Sequence, residues 1–408
     1  MKKGHFVDEN QHISLKTILR IGKECKNHIK LPSLQGLANY GKPLQQPIFS
    51  AALHRLVCTA RLLRSRGLLR IFLSSGLLTI QLLLILFFVK EIKIIEVKSE
   101  IGAGTRGASL GVEAMKIASL DLKSDFFKQY DSIEVENVNE MLYDGAEHAH
   151  AKFIDGVMIM EERVCLEVYE QLFDEFFPII MAGDHSTAYG TIAGIKKTHP
   201  KKRLGVVWID AHADLHSPYT TPSGNMHGMP LAMACGFDNL ECKVNDPKGE
   251  TIEYWEQLKN VGVAGPKIYA EDIVFISVRD FEKPENYLIN KHNMSFIETE
   301  DVKKLGPVKI AERALQMLDH CDYIYISFDV DSMDSRISTG TGTPVPNGLT
   351  VDEAKVLNEE LAKSPKVCAW EIVEVNPTLD TENRMAEGAF EIMEATAKAI
   401  MARPVMAE

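Results

Sequence analysis

The chain has little from which to build a disulfide or zinc framework. Its seven cysteines, at positions 25, 58, 165, 235, 242, 321 and 368, are odd in number, scattered, and form no CxxC pair. That argues against paired disulfides and zinc knuckles and fits a reducing compartment. Acid is scarce at the front of the chain. Residues 1–90 hold 3 Asp/Glu against 14 Lys/Arg, whereas residues 91–408 hold 54 against 31. The overall charge of −12 therefore averages a basic leader of +11 with an acidic body of −23. An acidic body disfavours nucleic acid as a partner. It favours a cationic ligand, although surface acid also serves solubility alone. No internal repeat is visible.

At 408 residues the chain can hold one large domain with an appendage, or two domains. Residues 1–50 lack a clean period, and Pro32, Pro43 and Pro47 break any long helix. Arg61, Arg64, Arg66 and Arg70 then precede Ile71 to Val89, nineteen residues without a charge and long enough to span a bilayer. Three readings of residues 1–90 stay open. One is a membrane anchor with the arginines before it. Another is a targeting leader, although secretory signals start nearer Met1 and have shorter apolar cores. The third is a non-native extension from a start placed too far upstream, set against the absence of any Met between Met1 and Met115.

From Ile92 the body alternates strand and helix patterns. Strands are expected at 92–97, 273–278 and 368–375. Helices are expected at 110–120, 147–173, 187–198, 309–319, 351–362 (capped by Thr350) and 385–401. Such alternation predicts an α/β fold with a parallel doubly wound sheet. Residues 236–271 read as a surface insertion.

Three apolar runs end in carboxylates or imidazoles. Phe177 to Ala182 leads to Asp184-His185, Leu204 to Ile209 leads to Asp210-Ala211-His212-Ala213-Asp214, and Tyr323 to Phe328 leads to Asp329-Val330-Asp331. Open parallel sheets place their active sites at the C-terminal ends of strands. Side chains at i, i+2 and i+4 of an extended segment point the same way, so each cluster can converge. Any one of these residues could be a turn or cap residue. Together they form an oxygen-rich set whose mutual repulsion calls for cations, and two ions fit the number of donors.

With these clusters in place the body resembles the arginase family, within the ureohydrolases. The resemblance rests on five segments in the family's order: 182–186, 210–214, Ser223-Gly224-Asn225-Met226-His227-Gly228, 327–331, and Glu371-Ile372-Val373-Glu374-Val375-Asn376-Pro377. It covers roughly residues 92 to 405. It implies a three-layer α/β/α fold with a mostly parallel sheet and a catalytic domain over 91–408. It also implies two Mn(II) ions held by His185, Asp210, His212, Asp214, Asp329 and Asp331. Asp210 and Asp329 match the bridging ligands. The implied reaction is hydrolysis of L-arginine to L-ornithine and urea by a metal-bridging hydroxide, in a cytoplasmic homo-oligomer, a trimer or hexamer, with membrane association left to residues 71–89.

By the same resemblance Asp214 can take the nucleophile's proton, Glu374 pairs with the guanidinium, and His227 shuttles protons, a task suited to a near-neutral pKa. Ser223 and Asn225 match the loop that binds the α-carboxylate. Two positions depart from the family. His216 stands where an asparagine usually contacts the carboxylate, and Glu282 where an aspartate usually contacts the α-amino group. They leave guanidine hydrolysis intact and bear on the preference for L-arginine. The alternatives are a sister ureohydrolase acting on agmatine, guanidinobutyrate or formiminoglutamate, and a non-catalytic binding subunit. Three decoys are set aside. Gly102 to Gly107 fits GxGxxG, but the polar Lys98-Ser99-Glu100 separates it from its strand, so it reads as a turn at the sheet's mouth. His148-Ala149-His150 reads as solvated surface, and Gly340 to Pro346 as a structural lip of the site.

Overall fold

In a computed structural model the protein is described over residues 91–403. The leader, with its apolar run at 71–89, lies outside the described residues. Among the described residues no helix is long and apolar enough to cross a membrane.

Eight strands form one sheet: β1 (Ile92–Val97), β2 (Ser132–Glu134), β3 (Phe177–Ala182), β4 (Leu204–Ile209), β5 (Ile273–Ile276), β6 (Ser295–Ile297), β7 (Tyr323–Asp329) and β8 (Val367–Val373). Their order is β2-β1-β3-β8-β7-β4-β5-β6, and every pairing is parallel. The helices are α1 (Gly111–Asp121), α2 (Phe126–Gln129), α3 (Ile154–Phe173), α4 (Ala188–Thr198), α5 (Pro230–Cys235), α6 (Glu250–Leu258), α7 (Lys283–Lys291), α8 (Thr299–Leu305), α9 (Pro307–Met317), α10 (Val351–Ala362) and α11 (Arg384–Met401).

β3, β4 and β5 are apolar on both faces because both faces are covered. Ile95, Val97, Ile180, Ala182, Val206 and Trp208 enter one core with α3, α4, α5 and α6. Their neighbours Ile94, Ile179, Met181, Val207 and Ile209 enter the other, with α1, α9, α10 and α11. This period of two along each strand makes the three layers. At about 25 cal/mol per Å², the two cores supply the main drive to fold. Helix α10 begins as expected: Thr350 Oγ1 accepts from Glu353 N at 3.2 Å, and Glu353 Oε2 accepts from Thr350 N at 2.8 Å.

Two expectations are corrected. Residues 147–153 form turns, and α3 starts at Ile154. Phe153 takes a left-handed φ of 55°, and the Lys152 N–H donates to Gly224 O at 2.8 Å, drawing the chain away to buttress a loop of the site. Residues 236–271 are more than a surface insertion. They contain α6, whose Trp255 and Leu258 are buried in a core, with Trp255 Nε1 donating to Asp238 Oδ1 at 2.8 Å.

Candidate active site

The four central strands deliver the polar clusters to one edge of the sheet. The chain leaves β3 into Asp184-His185, β4 into Asp210 to Asp214, β7 at Asp329 to Asp331, and β8 into Glu374. His185 Nδ1 lies 3.1 Å from each of three oxygens: Asp210 Oδ2, Asp214 Oδ2 and Asp329 Oδ2. His212 Nδ1 lies 2.9 Å from Asp331 Oδ2 and 3.5 Å from Asp210 Oδ1. Two ligand groups result, His185-Asp210-Asp329 and Asp210-His212-Asp331, and they share Asp210. All six expected ligands are therefore brought together.

The arrangement fits divalent cations. His185 Nδ1 and Asp210 Oδ2 are fully buried and have no hydrogen-bond partner, a cost that a cation bound between them would relieve. Burial and the charges of neighbouring aspartates raise the carboxyl pKa of Asp329 and Asp331. Burial, with the charge of Asp210, pushes Asp214 up to about 6. Asp210 is held low, because His185 and His212 outweigh the cost of its burial. Buried acids forced apart in pKa are what cations would relieve.

The supports around this centre are specific. The His185 ring stacks on Trp208, with centroids 4.1 Å apart and planes at 3°, and its Nε2 lies 2.8 Å from Ser327 Oγ. That contact leaves Nδ1 facing the carboxylates. Thr343, from the expected lip, donates its hydroxyl to Asp331 Oδ2 at 3.0 Å. Arg279 staples the lip to the ligand loop, donating to the carbonyls of Asp331, Val345 and Pro346 at 2.8–2.9 Å. Asp214 and Glu374 both take positive φ, 49° and 66°. Such strain in non-glycine residues gathers at functional sites.

Beside the centre, Glu374 Oε1 accepts from His185 N and stands 3.0 Å from His227 Nδ1. Burial opposes a charged imidazole, but the bond to Glu374 wins and lifts His227 to about 9. The Gly102–Gly107 segment is the turn expected: Gly102 N donates to Asp184 Oδ2 at 3.0 Å, and Gly102 O accepts from His227 N at 3.1 Å. A side chain at Gly102 would collide with Ser186 at 2.6 Å, which accounts for glycine there.

Farther out lie the expected head-group residues. Ser223 is exposed, its Oγ accepting from Asn225 N at 3.2 Å, and Asn225 Oδ1 accepts from Lys152 Nζ at 3.1 Å. The two departures meet: His216 Nε2 lies 2.9 Å from Glu282 Oε2. Burial opposes a charged His216, yet Glu282 and Glu285 raise its pKa, while the bond from His216 holds Glu282 down to about 2. Lys152, Glu285, Thr220 and Arg279 were missed by motif reading. Glu285 alone had a signal, since Glu282-Lys283-Pro284-Glu285 has the spacing of a capping box with Pro at the start of a helix. His148 and His150 stand outside both ligand groups. His148 is half-buried, with Nδ1 2.9 Å from Thr251 Oγ1, so it is less solvated than expected.

A family model described as the Arginase family matches residues 90–398. An arginase from Brevibacillus brevis is 33% identical over 309 residues, covering 74% of this chain and 96% of that one. The crystal structure of arginase from Bacillus subtilis aligns with a TM-score of 0.64 at 29% identity, covering 78% of this chain and all of that one. That of Entamoeba histolytica arginase in complex with L-ornithine aligns with a TM-score of 0.65 at 25% identity, covering 75% of this chain and 98% of that one.

Proposed function

The chain belongs to the arginase family, and from that premise we propose that it hydrolyses the guanidinium group of L-arginine to give L-ornithine and urea. The observation that carries this reading is the convergence of three carboxylates on His185 Nδ1 beside a second group that shares Asp210. His185, Asp210, His212, Asp214, Asp329 and Asp331 would hold two Mn(II) ions, with Asp210 common to both ligand groups. Bound there, the ions supply an activated water as nucleophile for a carbon whose charge is delocalised.

The remaining roles fall to the chain's own side chains. Glu374, buried and kept ionised by His227, pairs with the guanidinium and fixes its carbon in line for attack. Asp214, beside the bound water, takes the proton released on attack. His227 moves a proton toward the leaving nitrogen. Its partner is Glu374, so a guanidinium arriving at that carboxylate competes with the imidazole and eases proton release. Ser223 and Asn225 hold the α-carboxylate, and Glu282 the α-ammonium. Thr343 of the lip and the Gly102 turn steady Asp331 and Asp184 beside the centre.

The test is a urea assay on arginine and agmatine with and without added manganese. Manganese-dependent urea from arginine, well ahead of agmatine, is expected. Preference for agmatine would make the chain a sister ureohydrolase. Bound metal with no hydrolysis of any guanidine would make it a binding subunit.

A further inference from the structure

We propose that His216 is a positioning residue. It braces the Glu282 carboxylate as acceptor for the substrate's ammonium group and does not itself bind the substrate's carboxylate. The inference rests on the reading above, in which the outer part of the site receives the amino-acid head of a guanidine.

Both ring nitrogens of His216 are committed. Nδ1 lies 3.1 Å from Thr220 Oγ1, while Nε2 lies 2.9 Å from Glu282 Oε2 and 3.4 Å from Glu285 Oε2. The residue is only 7% exposed. An imidazole has two polar atoms, so none is left to offer a carboxylate. Glu285 is committed as well. Its Oε1 accepts from Leu215 N at 3.1 Å and its Oε2 from Glu282 N at 2.9 Å, and it is buried.

Glu282 is the exception in this cluster. Its side chain is 55% exposed, and it is held from two sides, by His216 and by the backbone N–H of Glu285 at the start of α7. The helix N-terminus favours negative charge at that point. One carboxylate therefore faces the open side in a fixed direction, and its chemistry selects a cation. A glutamate has one more rotatable bond than an aspartate, and an unbraced one loses that freedom when it grips a ligand. The imidazole at 216 removes the freedom in advance. His216 and Glu282 thus act as a matched pair, the longer acid and its brace.

Three amines that cannot be hydrolysed separate the possibilities: L-ornithine, putrescine, which lacks the carboxylate, and δ-aminovalerate, which lacks the α-ammonium. Dissociation constants are measured by calorimetry on the full chain loaded with manganese. His216→Ala is expected to weaken L-ornithine and putrescine alike, by about 10-fold, the scale of one charge-assisted hydrogen bond, and to spare δ-aminovalerate. His216→Gln places a donor near the position of ring Nε2 and should restore most of the loss. Glu282→Gln should weaken the same two ligands, with little added by His216→Ala in the double variant. The proposal is overturned if His216→Ala weakens L-ornithine and δ-aminovalerate but spares putrescine, since His216 would then contact the carboxylate. Equal loss for all three ligands, or no rescue by glutamine, would leave His216 a general structural role and also overturn it. So would a wild type that binds putrescine no better than δ-aminovalerate. None of these probes depends on turnover. A chain that released no urea from any guanidine would overturn the proposed function and leave this result readable.

Discussion

One oxygen of Glu374 serves two partners: Oε1 stands 3.0 Å from His227 Nδ1 and accepts the backbone N–H of His185, also at 3.0 Å. The acid assigned to the guanidinium is thereby tied to the peptide of His185, an assigned metal ligand, and to His227, the imidazole assigned to carry protons. Glu374→Gln should lower urea formation from every guanidine by roughly 100-fold or more, as loss of one preorganised electrostatic contact does. Metal content, read by elemental analysis, should stay at the wild-type level. The His227 imidazole, followed by NMR, should titrate well below about 9, because its main support is gone.

Removal of metal should destabilise the protein. With the ions absent, the acids around His185 keep company with few cations, and their burial is uncompensated. Chelation should lower the melting temperature, and manganese should restore it with a stoichiometry of two per chain. Asp210→Ala, which takes a ligand from both groups, should abolish both the thermal shift and urea release. A full shift in that variant would remove Asp210 from the bridging role.

The α-carboxylate should be felt through Asn225. Asn225→Ala should raise KM for arginine by one to two orders of magnitude, roughly the worth of a charge-assisted hydrogen bond, and should leave agmatine nearly unchanged. Lys152→Met tests the brace on this residue, since Lys152 Nζ donates to Asn225 Oδ1. Its effect on KM for arginine should be smaller and in the same direction. Equal slowing of arginine and agmatine by Asn225→Ala would dissociate Asn225 from the carboxylate.

Much of this site was legible because strands speak plainly. Continuous apolar runs ending in Asp184-His185, Asp210 to Asp214 and Asp329 to Asp331 marked both the sheet and its active edge, and β1 and α10 have the bounds that their patterns predict. What stayed hidden depends on contacts between segments far apart in sequence. Nothing local says that Lys152 reaches Asn225, or that Arg279 staples residues 331 and 345 together. The start of α3 was misplaced for the same reason, because a bond to Gly224 overrides local helix propensity at Lys152. Trp255 was overlooked because the polar residues around it outweighed one large apolar side chain.

Stability should also report on Lys267, a buried lysine whose ammonium donates to the carbonyls of Lys259 and Gly265 at 2.8 and 2.5 Å. Burial pushes its pKa down from 10.5 to about 8. Below about 8 both folded and unfolded states carry the proton, and the folded state bears the full cost of burying the charge. Between 8 and 10.5 only the unfolded state keeps the proton, so stability rises with pH. Relative to Lys267→Met, the wild type should gain up to about 3 kcal/mol across that window, measured by denaturant unfolding. A difference that does not change with pH would mean that the ammonium stays charged in the fold.

A chain trimmed to residues 90–408 should fold and bind metal, because every described strand and every assigned ligand lies within it. Light scattering on the active protein should give the mass of a trimer or a hexamer. A soluble trimmed chain without metal binding would place an essential part of the fold in the leader.

Strand order carries a consequence for how the protein is made. Among the described strands β8 sits between β3 and β7, and its backbone pairs with one strand of the β2-β1-β3 group and one of the β7-β4-β5-β6 group. It is also the last strand to leave the ribosome. His185 follows β3 of the first group, whereas Asp210 follows β4 and Asp329 closes β7 of the second. Pairing β8 with β3 closes a long loop, from Ile179–Met181 to Trp370–Ile372, a slow step of high contact order. A product truncated before Val367 lacks Glu374 and the strand that pairs with both β3 and β7.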